Sequence, residues 1–245
     1  MMVSMEGTPD RLRNAQAADF VARSIGPEPR ILDVGCGRGE VARQLGAIGC
    51  RVTALDVKLR DPVPGPNVEF IEHDFLAYEA EPFDVLLFTA SLHHIAPLDQ
   101  AIAHAAKLLV SGGRLIVDDF DVAAPDHETL TWYYEQQELL AAAELYPAER
   151  IDPPAADPTA RWQAAHHHEP ALHTGAAMRS QISSSFVIRN LQRADYLFRY
   201  ITAGLPSDER GARIASHVRT VERTRIANGT LVPVGLRIVA ARPTV

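Results

Sequence analysis

Apolar residues follow two kinds of spacing along the chain, and the two kinds alternate. Short apolar runs, such as the one over residues 31–34, are typical of strands buried in a parallel sheet. Between most runs, apolar residues recur at helical spacing, as at Val41, Leu45 and Ile48. The runs predict strands over residues 30–34, 51–55, 68–72, 84–88, 115–117, 186–191 and 231–240. Repeated strand–helix units predict a parallel sheet with right-handed crossovers.

Helices are predicted in the segments that separate these strands. The first covers residues 9–25, a second runs from Leu98 to Leu109, and a third follows Asp126 and reaches Leu145. Further helices are predicted after Thr174, over residues 196–201 and after Ser207. Residues 146–175 contain five prolines and look irregular, which in a compact domain is typical of a lid or a binding loop.

Three alternating glycines follow the first strand, in the stretch D-V-G-C-G-R-G-E. Strand, glycine turn and helix in that order form the first half of a nucleotide-binding unit, with the ligand at the carboxyl end of the strand. A dinucleotide fingerprint needs glycine where Glu40 stands, which disfavours a nicotinamide enzyme. The carboxylate of Asp33 would repel a pyrophosphate but suits a ligand with a positive charge.

The stretch D-x-G-x-G-x-G resembles motif I of the class I S-adenosylmethionine-dependent methyltransferases. Two acids, Asp56 and Asp74, follow the second and third strands at the distances along the chain that are typical of this family. The stretch F-D-V-L followed by S-L-H-H-I is similar to the small-molecule branch of the family. The alternative, a turn that only lets helix and strand pack closely, stays open. The resemblance implies a Rossmann-like α/β fold, with a seven-stranded, mostly parallel sheet, helices on both faces and an antiparallel last strand between strands 5 and 6. It further implies one domain over residues 1–245, an N-terminal helical cover over 1–26 and a substrate cap over 121–184.

The same resemblance implies S-adenosyl-L-methionine as the cofactor. Asp33 would position its cationic amino acid end, Asp56 would accept from the ribose hydroxyls, and Asp74 would meet the adenine amino group. The backbone beside Thr89 would contact the methionyl end. The cofactor-binding residues expected on this basis are Asp33, Gly35, Cys36, Gly37, Asp56, Val57, Asp74, Phe75, Thr89 and Ala90.

Methyl transfer to a small molecule would proceed by in-line displacement, with an O-, N- or C-nucleophile. A protic acceptor also needs a base, for which we expect His94 rather than His93, or His167. The expected substrate contacts are Tyr133, Trp162, His166 and His168. No metal is expected, because adjacent histidines lack a recognised ligand spacing. The alternative function is binding of S-adenosylmethionine in a non-methylating or regulatory role.

Composition narrows the class of protein further. The net charge of −7 over 245 residues, with no basic block, disfavours nucleic-acid binding. No apolar run is long enough to cross a membrane, and residues 1–13 do not read as a secretory signal. The two cysteines, Cys36 and Cys50, form no disulfide framework, which favours a reducing cytoplasm. We therefore expect a cytoplasmic enzyme of small-molecule metabolism, monomeric or homodimeric, with no membrane partner.

Overall fold

The computed structural model describes residues 9–147 and 157–244. Seven strands form one sheet: β1 Arg30–Val34, β2 Arg51–Asp56, β3 Val68–Glu72, β4 Phe83–Thr89, β5 Leu109–Phe120, β6 Val187–Ala194 and β7 Gly235–Ala241. The α-helices are α1 Pro9–Ala22, α2 Glu40–Ala47, α3 Leu98–Lys107, α4 His127–Ala142, α5 Pro158–Ala165, α6 Gly175–Ser185, α7 Leu197–Ile201 and α8 Glu209–Ala227. The predicted α/β class and the predicted bounds of β1 and β3 are confirmed.

The strand order places the end of β1 at a reversal of the sheet. The order is β3-β2-β1-β4-β5-β7-β6, so β7 lies between β5 and β6 as expected. The strands from β3 to β5 are parallel, and Asp33 of β1 pairs with Ala54 of β2 on one side and Leu87 of β4 on the other. Ligands of open α/β sheets bind where the strand order reverses, at the carboxyl ends of the strands.

The chain folds into two compact units. The unit that we call the sheet unit comprises residues 14–120, 173–192 and 236–244. The second, which we call the helical unit, comprises residues 9–13, 121–147, 157–172 and 193–235. The helical unit thus includes most of the segment predicted as a substrate cap, together with a later stretch of the chain.

Both faces of the sheet are covered by helices within the sheet unit. On one face, Leu32, Leu86 and Leu115 pack with apolar residues of α3 and α6. On the other, Ile31 and Leu87 pack with apolar residues of α1 and α2. Neighbouring strand residues point to opposite faces, and both faces are buried. The strand sequences are therefore nearly continuous apolar runs.

Two boundaries near the fifth strand differ from the prediction. Leu109 was assigned to the second predicted helix but begins β5, which extends to Phe120. Residues 111–113, which precede the predicted strand over residues 115–117, also lie within β5. Leu109 is buried as the helical pattern required, so burial alone did not separate the helix from the strand.

Ile48, expected on the buried face of α2, follows that helix and is 62% exposed.

The irregular segment predicted over residues 146–175 contains a helix. The Asp157 side chain accepts from the backbone N–H groups of Thr159 and Ala160 and begins α5, with Pro158 in its first turn. Proline and an N-cap aspartate are ordinary helix starts, so the proline count concealed a helix. Helices do follow Asp126 and Thr174 as predicted, and each of these side chains accepts from a backbone N–H of its helix. Within the described residues, no helix has the length and apolar composition needed to span a bilayer.

A buried carboxylate joins two helices of the helical unit. Glu222 of α8 is 1% exposed, and it accepts from the backbone N–H groups of Tyr196, Leu197 and Phe198 at 2.8–2.9 Å. These are N–H groups at the start of α7, which have no partner within that helix. Burial raises the pKa of Glu222 to about 7, although the three N–H groups act in the opposite direction. The side chain therefore stabilises the start of α7 from a neighbouring helix.

We expect Glu222→Ala to lower the free energy of unfolding by about 2–4 kcal/mol, because it leaves three buried N–H groups without an acceptor. Denaturant titration measures the change. Glu209→Ala, on the same helix, is the matched control: that side chain is 87% exposed, and its pair with Arg213 contributes at most about 0.5 kcal/mol. Equal stability of the two variants would contradict the capping role.

Candidate functional site

A cavity of about 450 Å³ opens in the sheet unit where the strand order reverses. Its walls come from the carboxyl ends of β1 to β4 and from the segments that follow them. The residues that line it are Val34, Gly35, Leu55, Asp56, Val57, His73, Asp74, Phe75, Leu76, Ala90, Ser91, His94, Ile95 and Ala96. Both the volume and the mixture of apolar walls with a few polar groups are typical of sites for small ligands.

The glycine turn after β1 is held to the end of β2 by hydrogen bonds. The N–H groups of Gly35 and Cys36 donate to the Leu55 carbonyl at 2.8 and 3.1 Å. The Gly37 N–H donates to Oδ2 of Asp56 at 2.8 Å. The backbone of the turn is therefore fixed beside the cavity by the same aspartate that was predicted to bind a ribose.

Close contacts explain why two positions of this turn, Gly35 and Gly39, carry no side chain. Gly35 has φ +72°, and a Cβ added there would lie 2.5 Å from Cβ of Ser91. At Gly39, with φ +76°, a Cβ would lie 2.3 Å from the Phe70 ring. Ser91 itself donates to the Val34 carbonyl at 2.6 Å. The turn thus packs directly against the residues that follow β4 and against β3.

Asp33 is a buried carboxyl group with unused hydrogen-bonding capacity. It is 1% exposed, and its Oδ1 has no hydrogen-bond partner among the described residues. Burial, with a further contribution from the charge of Asp56, raises its pKa to about 7. Burial and the same two carboxylates also raise the pKa of the Cys36 thiol. Buried polar atoms in native proteins are nearly always satisfied, so a missing partner at Asp33 indicates a ligand or a water.

The two other predicted acids line the cavity. Asp56 also accepts from the Lys58 N–H at 3.1 Å. Asp74 accepts from the Leu76 N–H at 2.9 Å and thereby begins the short 3-10 helix Phe75–Ala77. Each carboxylate oxygen accepts more than one hydrogen bond, so both acids keep capacity for a ligand.

The structure brings together six of the ten predicted cofactor residues as cavity walls: Gly35, Asp56, Val57, Asp74, Phe75 and Ala90. Asp33, Cys36, Gly37 and Thr89 do not form the wall and lie beside these residues along the chain. Ala90 has φ +52°, unusual for a residue other than glycine, and its N–H donates to the Asp118 carbonyl at 3.0 Å. The Thr89 hydroxyl is buried with no partner among the described residues.

Sequence reasoning missed several cavity residues, including His73, Leu76, Ser91, Ile95 and Ala96. All of them follow the ends of β3 or β4 within a few residues. Their position after a predicted strand was the only available signal, because their side chains share no chemistry.

The two adjacent histidines after β4 have different surroundings. His94 is exposed and lines the cavity. His93 is 5% exposed, and its Nδ1 lies 2.7 Å from Oδ1 of Asp119, a side chain with no exposed surface. The two imidazole rings lie 4.0 Å apart between centroids. Asp119 was not predicted, although the acidic pair Asp118–Asp119 at a strand end was a visible signal.

The predicted substrate residues Tyr133 and Trp162 belong to an aromatic cluster inside the helical unit. Both are 3% exposed, their rings lie 5.6 Å apart, and the Trp162 indole N–H donates to the Val122 carbonyl. Within the same unit, Nε1 of Trp132 and Oε1 of Gln137 are buried without a partner among the described residues. The Gln137 amide donates to the Tyr133 hydroxyl at 2.9 Å. The interior of the helical unit therefore holds two buried polar atoms that have no hydrogen-bond partner among the described residues.

The histidine run over residues 166–168 lies at the end of α5. His166 ends α5, and its ring stacks on Trp162 at 3.7 Å between centroids. His167 and His168 follow and are exposed. No group of three metal-ligating side chains was found among the described residues.

His173 belongs to the sheet unit. Its backbone N–H donates to the His93 carbonyl, and its ring Nε2 lies 2.9 Å from the Ile95 carbonyl. His173 therefore stabilises the turn that contains His93 and His94.

Known proteins are similar to this chain in sequence. The chain is 32% identical over 117 residues to a ubiquinone biosynthesis O-methyltransferase from Xylella fastidiosa, a match that covers 42% of this chain and 47% of that protein. The chain thus spans about half the length of the curated relatives that it matches.

Solved structures agree on the fold. An S-adenosylmethionine-dependent methyltransferase from Mesorhizobium loti superposes with a TM-score of 0.56 at 16% identity, covering 98% of this chain and 100% of that one. The [4+2]-cyclase SpnF superposes with a TM-score of 0.55 at 15% identity, covering 94% and 81%.

The model of a methyltransferase domain matches residues 10–176, which is more than half of the 245 residues. This match confirms the family that motif I suggested. The chain belongs to the methyltransferase domain family.

Proposed function

We propose that the protein transfers the methyl group of S-adenosylmethionine to a small-molecule acceptor. The observation that carries the proposal is the cavity at the reversal of the strand order, with Asp56 and Asp74 in its wall and the unpartnered carboxyl of Asp33 beside it. Family membership and the O-methyltransferase relatives support the reaction class. Mass spectrometry tests it: both S-adenosylhomocysteine and a methylated acceptor should form.

The residues present fit this cofactor. Asp56, at the end of β2, has acceptors for the two ribose hydroxyls, and Asp74 has one for an adenine amino group. The apolar wall against which the adenine ring would pack comes from Val57, Leu76 and Ile95. The buried carboxyl of Asp33 matches the positive charge of the amino acid end. The bound cofactor supplies an electrophilic methyl group, and the protein holds it, orients the acceptor and excludes water.

We further propose that the helical unit binds the acceptor, with contacts from Tyr133, Trp162, His166 and His168. The aromatic cluster and the unpartnered atoms of Trp132 and Gln137 support this role. His94 and His167 remain the sequence-based predictions for a base. Several further properties stay predictions from the sequence: the cytoplasmic location, a role in small-molecule metabolism, the monomeric or homodimeric state, and the lack of nucleic-acid and membrane partners.

Non-methylating use of the same cofactor is the alternative. The [4+2]-cyclase among the structural neighbours has the same fold, so the fold alone does not set the reaction. Tight cofactor binding without any S-adenosylhomocysteine, across a screen of phenols, alcohols and amines, would favour that alternative.

Loss of the ribose contact should weaken cofactor binding. We expect Asp56→Ala to reduce the affinity for S-adenosylmethionine by about 1.5–3 kcal/mol, because a charged acceptor of two hydroxyls is removed. Titration calorimetry measures the affinity, and thermal unfolding checks the turn, since Asp56 also accepts from Gly37. Asp99→Ala, an exposed acid in α3, is the control. Unchanged affinity in Asp56→Ala would rule out the assignment.

Cofactor binding should release a proton at Asp33. Its pKa of about 7 lies above the usual value, so the free protein carries a neutral carboxyl below about pH 7. A cation beside the carboxyl favours the ionised form, so affinity should rise from about pH 5 to about pH 7 and then level off. Calorimetry in two buffers of different ionisation enthalpy counts the protons. Asp33→Asn should abolish the pH dependence; a dependence that persists in this variant belongs to another group.

Acceptor binding should depend on Gln137 while cofactor binding does not. Gln137→Leu removes the donor to Tyr133 and the unpartnered Oε1, and we expect KM for the acceptor to rise about 5- to 20-fold. The affinity for S-adenosylmethionine should stay within about twofold. Gln136→Leu makes the same change at the next, less buried position of α4 and is the matched control. Equal loss of both affinities in Gln137→Leu would indicate a general structural defect.

A further inference from the structure

Four polar side chains lie together on one face of the sheet, within the sheet unit. This group, which we call the polar patch, consists of Asp33 of β1, Thr89 of β4, Asp118 of β5 and Arg237 of β7. Each lies two positions along its strand from an apolar residue that packs with α1 and α2. Because strand side chains alternate between the two faces, all four project to the side of α1 and α2. The four strands are neighbours in the order β1-β4-β5-β7.

Three members of the polar patch have an atom that is not yet hydrogen-bonded. Oδ1 of Asp33, Oγ1 of Thr89 and Nη2 of Arg237 are buried, and none has a partner among the described residues. They provide an acceptor, a hydroxyl and a cationic donor. Buried polar atoms are nearly always satisfied in native proteins, so three of them on one face indicate that a polar ligand completes the patch.

Arg237 is held so that one of its nitrogens points away from its partner. Its Nε donates to Oδ1 of Asp118 at 2.7 Å, and its Cζ lies 5.0 Å from the centroid of the Phe20 ring. A guanidinium presents its donors in several directions within one plane, so Nη2 can bind a second group while Nε is engaged. The Ala90 N–H donates to the Asp118 carbonyl, so Asp118 also fixes the chain beside Thr89.

The spacing of the charged groups suits a ligand that carries both charges. Asp33 lies two strands from Asp118 and one same-face step before it, which separates their Cα atoms by about 12 Å. The Asp33 side chain spans about 2.5 Å of this distance, and the guanidinium lies beside Asp118. The remaining gap of about 9 Å matches an α-amino acid group with a hydrogen bond at each end. Thr89 pairs with Asp118 on the strand between them and faces the middle of this gap.

We propose that Nη2 of Arg237 and the hydroxyl of Thr89 bind the carboxylate of the amino acid end of S-adenosylmethionine, while Asp33 binds its ammonium group. This inference rests on the proposed function and extends the cofactor site to β7, a strand that supplied none of the predicted site residues. Arg237 and the Thr89 side chain then select ligands that carry a free carboxylate. A lysine could pair with Asp118 but has no second, rigidly placed donor for the ligand.

Two ligands that differ only in the carboxylate test this assignment without turnover. S-adenosylhomocysteine and its decarboxylated analogue, which keeps the amino group, are titrated into the full chain by calorimetry. The wild-type protein should bind S-adenosylhomocysteine at least about 10-fold more tightly than the analogue. We expect Arg237→Lys, which keeps a cation for Asp118, to weaken S-adenosylhomocysteine binding by about 10- to 100-fold. The affinity for the analogue should stay within about threefold.

A second variant removes the hydroxyl without changing any charge. We expect Thr89→Val to weaken S-adenosylhomocysteine binding by about 3- to 10-fold and to leave the analogue unaffected. Arg179→Lys, at an exposed position of α6 in the same unit, is the matched control and should change neither affinity. Thermal unfolding checks that each variant is folded.

The outcomes separate this inference from the proposed function. Equal losses for the two ligands in Arg237→Lys would mean that Arg237 is only structural. Equal affinity of the wild-type protein for the two ligands would overturn the carboxylate subsite, and so would unchanged S-adenosylhomocysteine binding in both Arg237→Lys and Thr89→Val. Absence of binding of either ligand to the wild-type protein would contradict the proposed function itself, and the assignment of Arg237 would fall with it.

Discussion

The turn after β1 must lie against the ends of its neighbouring strands, and the rest of the site depends on that contact. Leu55 and Asp56 of β2 accept its N–H groups, and Ser91 fills the space where Gly35 has no side chain. A Cβ at Gly35 would push the segment after β4 away from β1, and that segment supplies Ala90 and His94 to the cavity. One backbone requirement thus positions residues from three strands.

Carboxyl groups concentrate beside this turn at a cost to the free protein. Burial of Asp33 near the charge of Asp56 disfavours its ionised form, which is why its pKa rises to about 7. A structure selected only for stability would not keep an unpartnered buried carboxyl at this place. A cationic ligand reverses the balance, since it gives the buried charge a partner. The helical unit shows the other solution, in which three N–H groups satisfy the buried carboxylate of Glu222.

The sequence predicted the sheet and part of the cavity wall because both depend on local patterns. Asp33, Asp56 and Asp74 each lie at or near the end of an apolar run, and such ends meet at one edge of a parallel sheet. The pairing of His93 with Asp119 joins residues 26 positions apart, and no local spacing encodes it. The preference for His94 followed chain position, whereas burial and the carboxylate contact distinguish His93. In the helical unit, prolines suggested a loop where Asp157 in fact begins a helix.

A crystal structure of the full chain with S-adenosylhomocysteine would locate the cofactor site. We expect density in the cavity at the ends of β1 to β4, with the ribose hydroxyls on the Asp56 carboxylate and the amino group on the side of Asp33. The adenine ring should lie between Val57 and Ile95, near Asp74. Density for the ligand elsewhere in the molecule, or a ribose that does not contact Asp56, would contradict it.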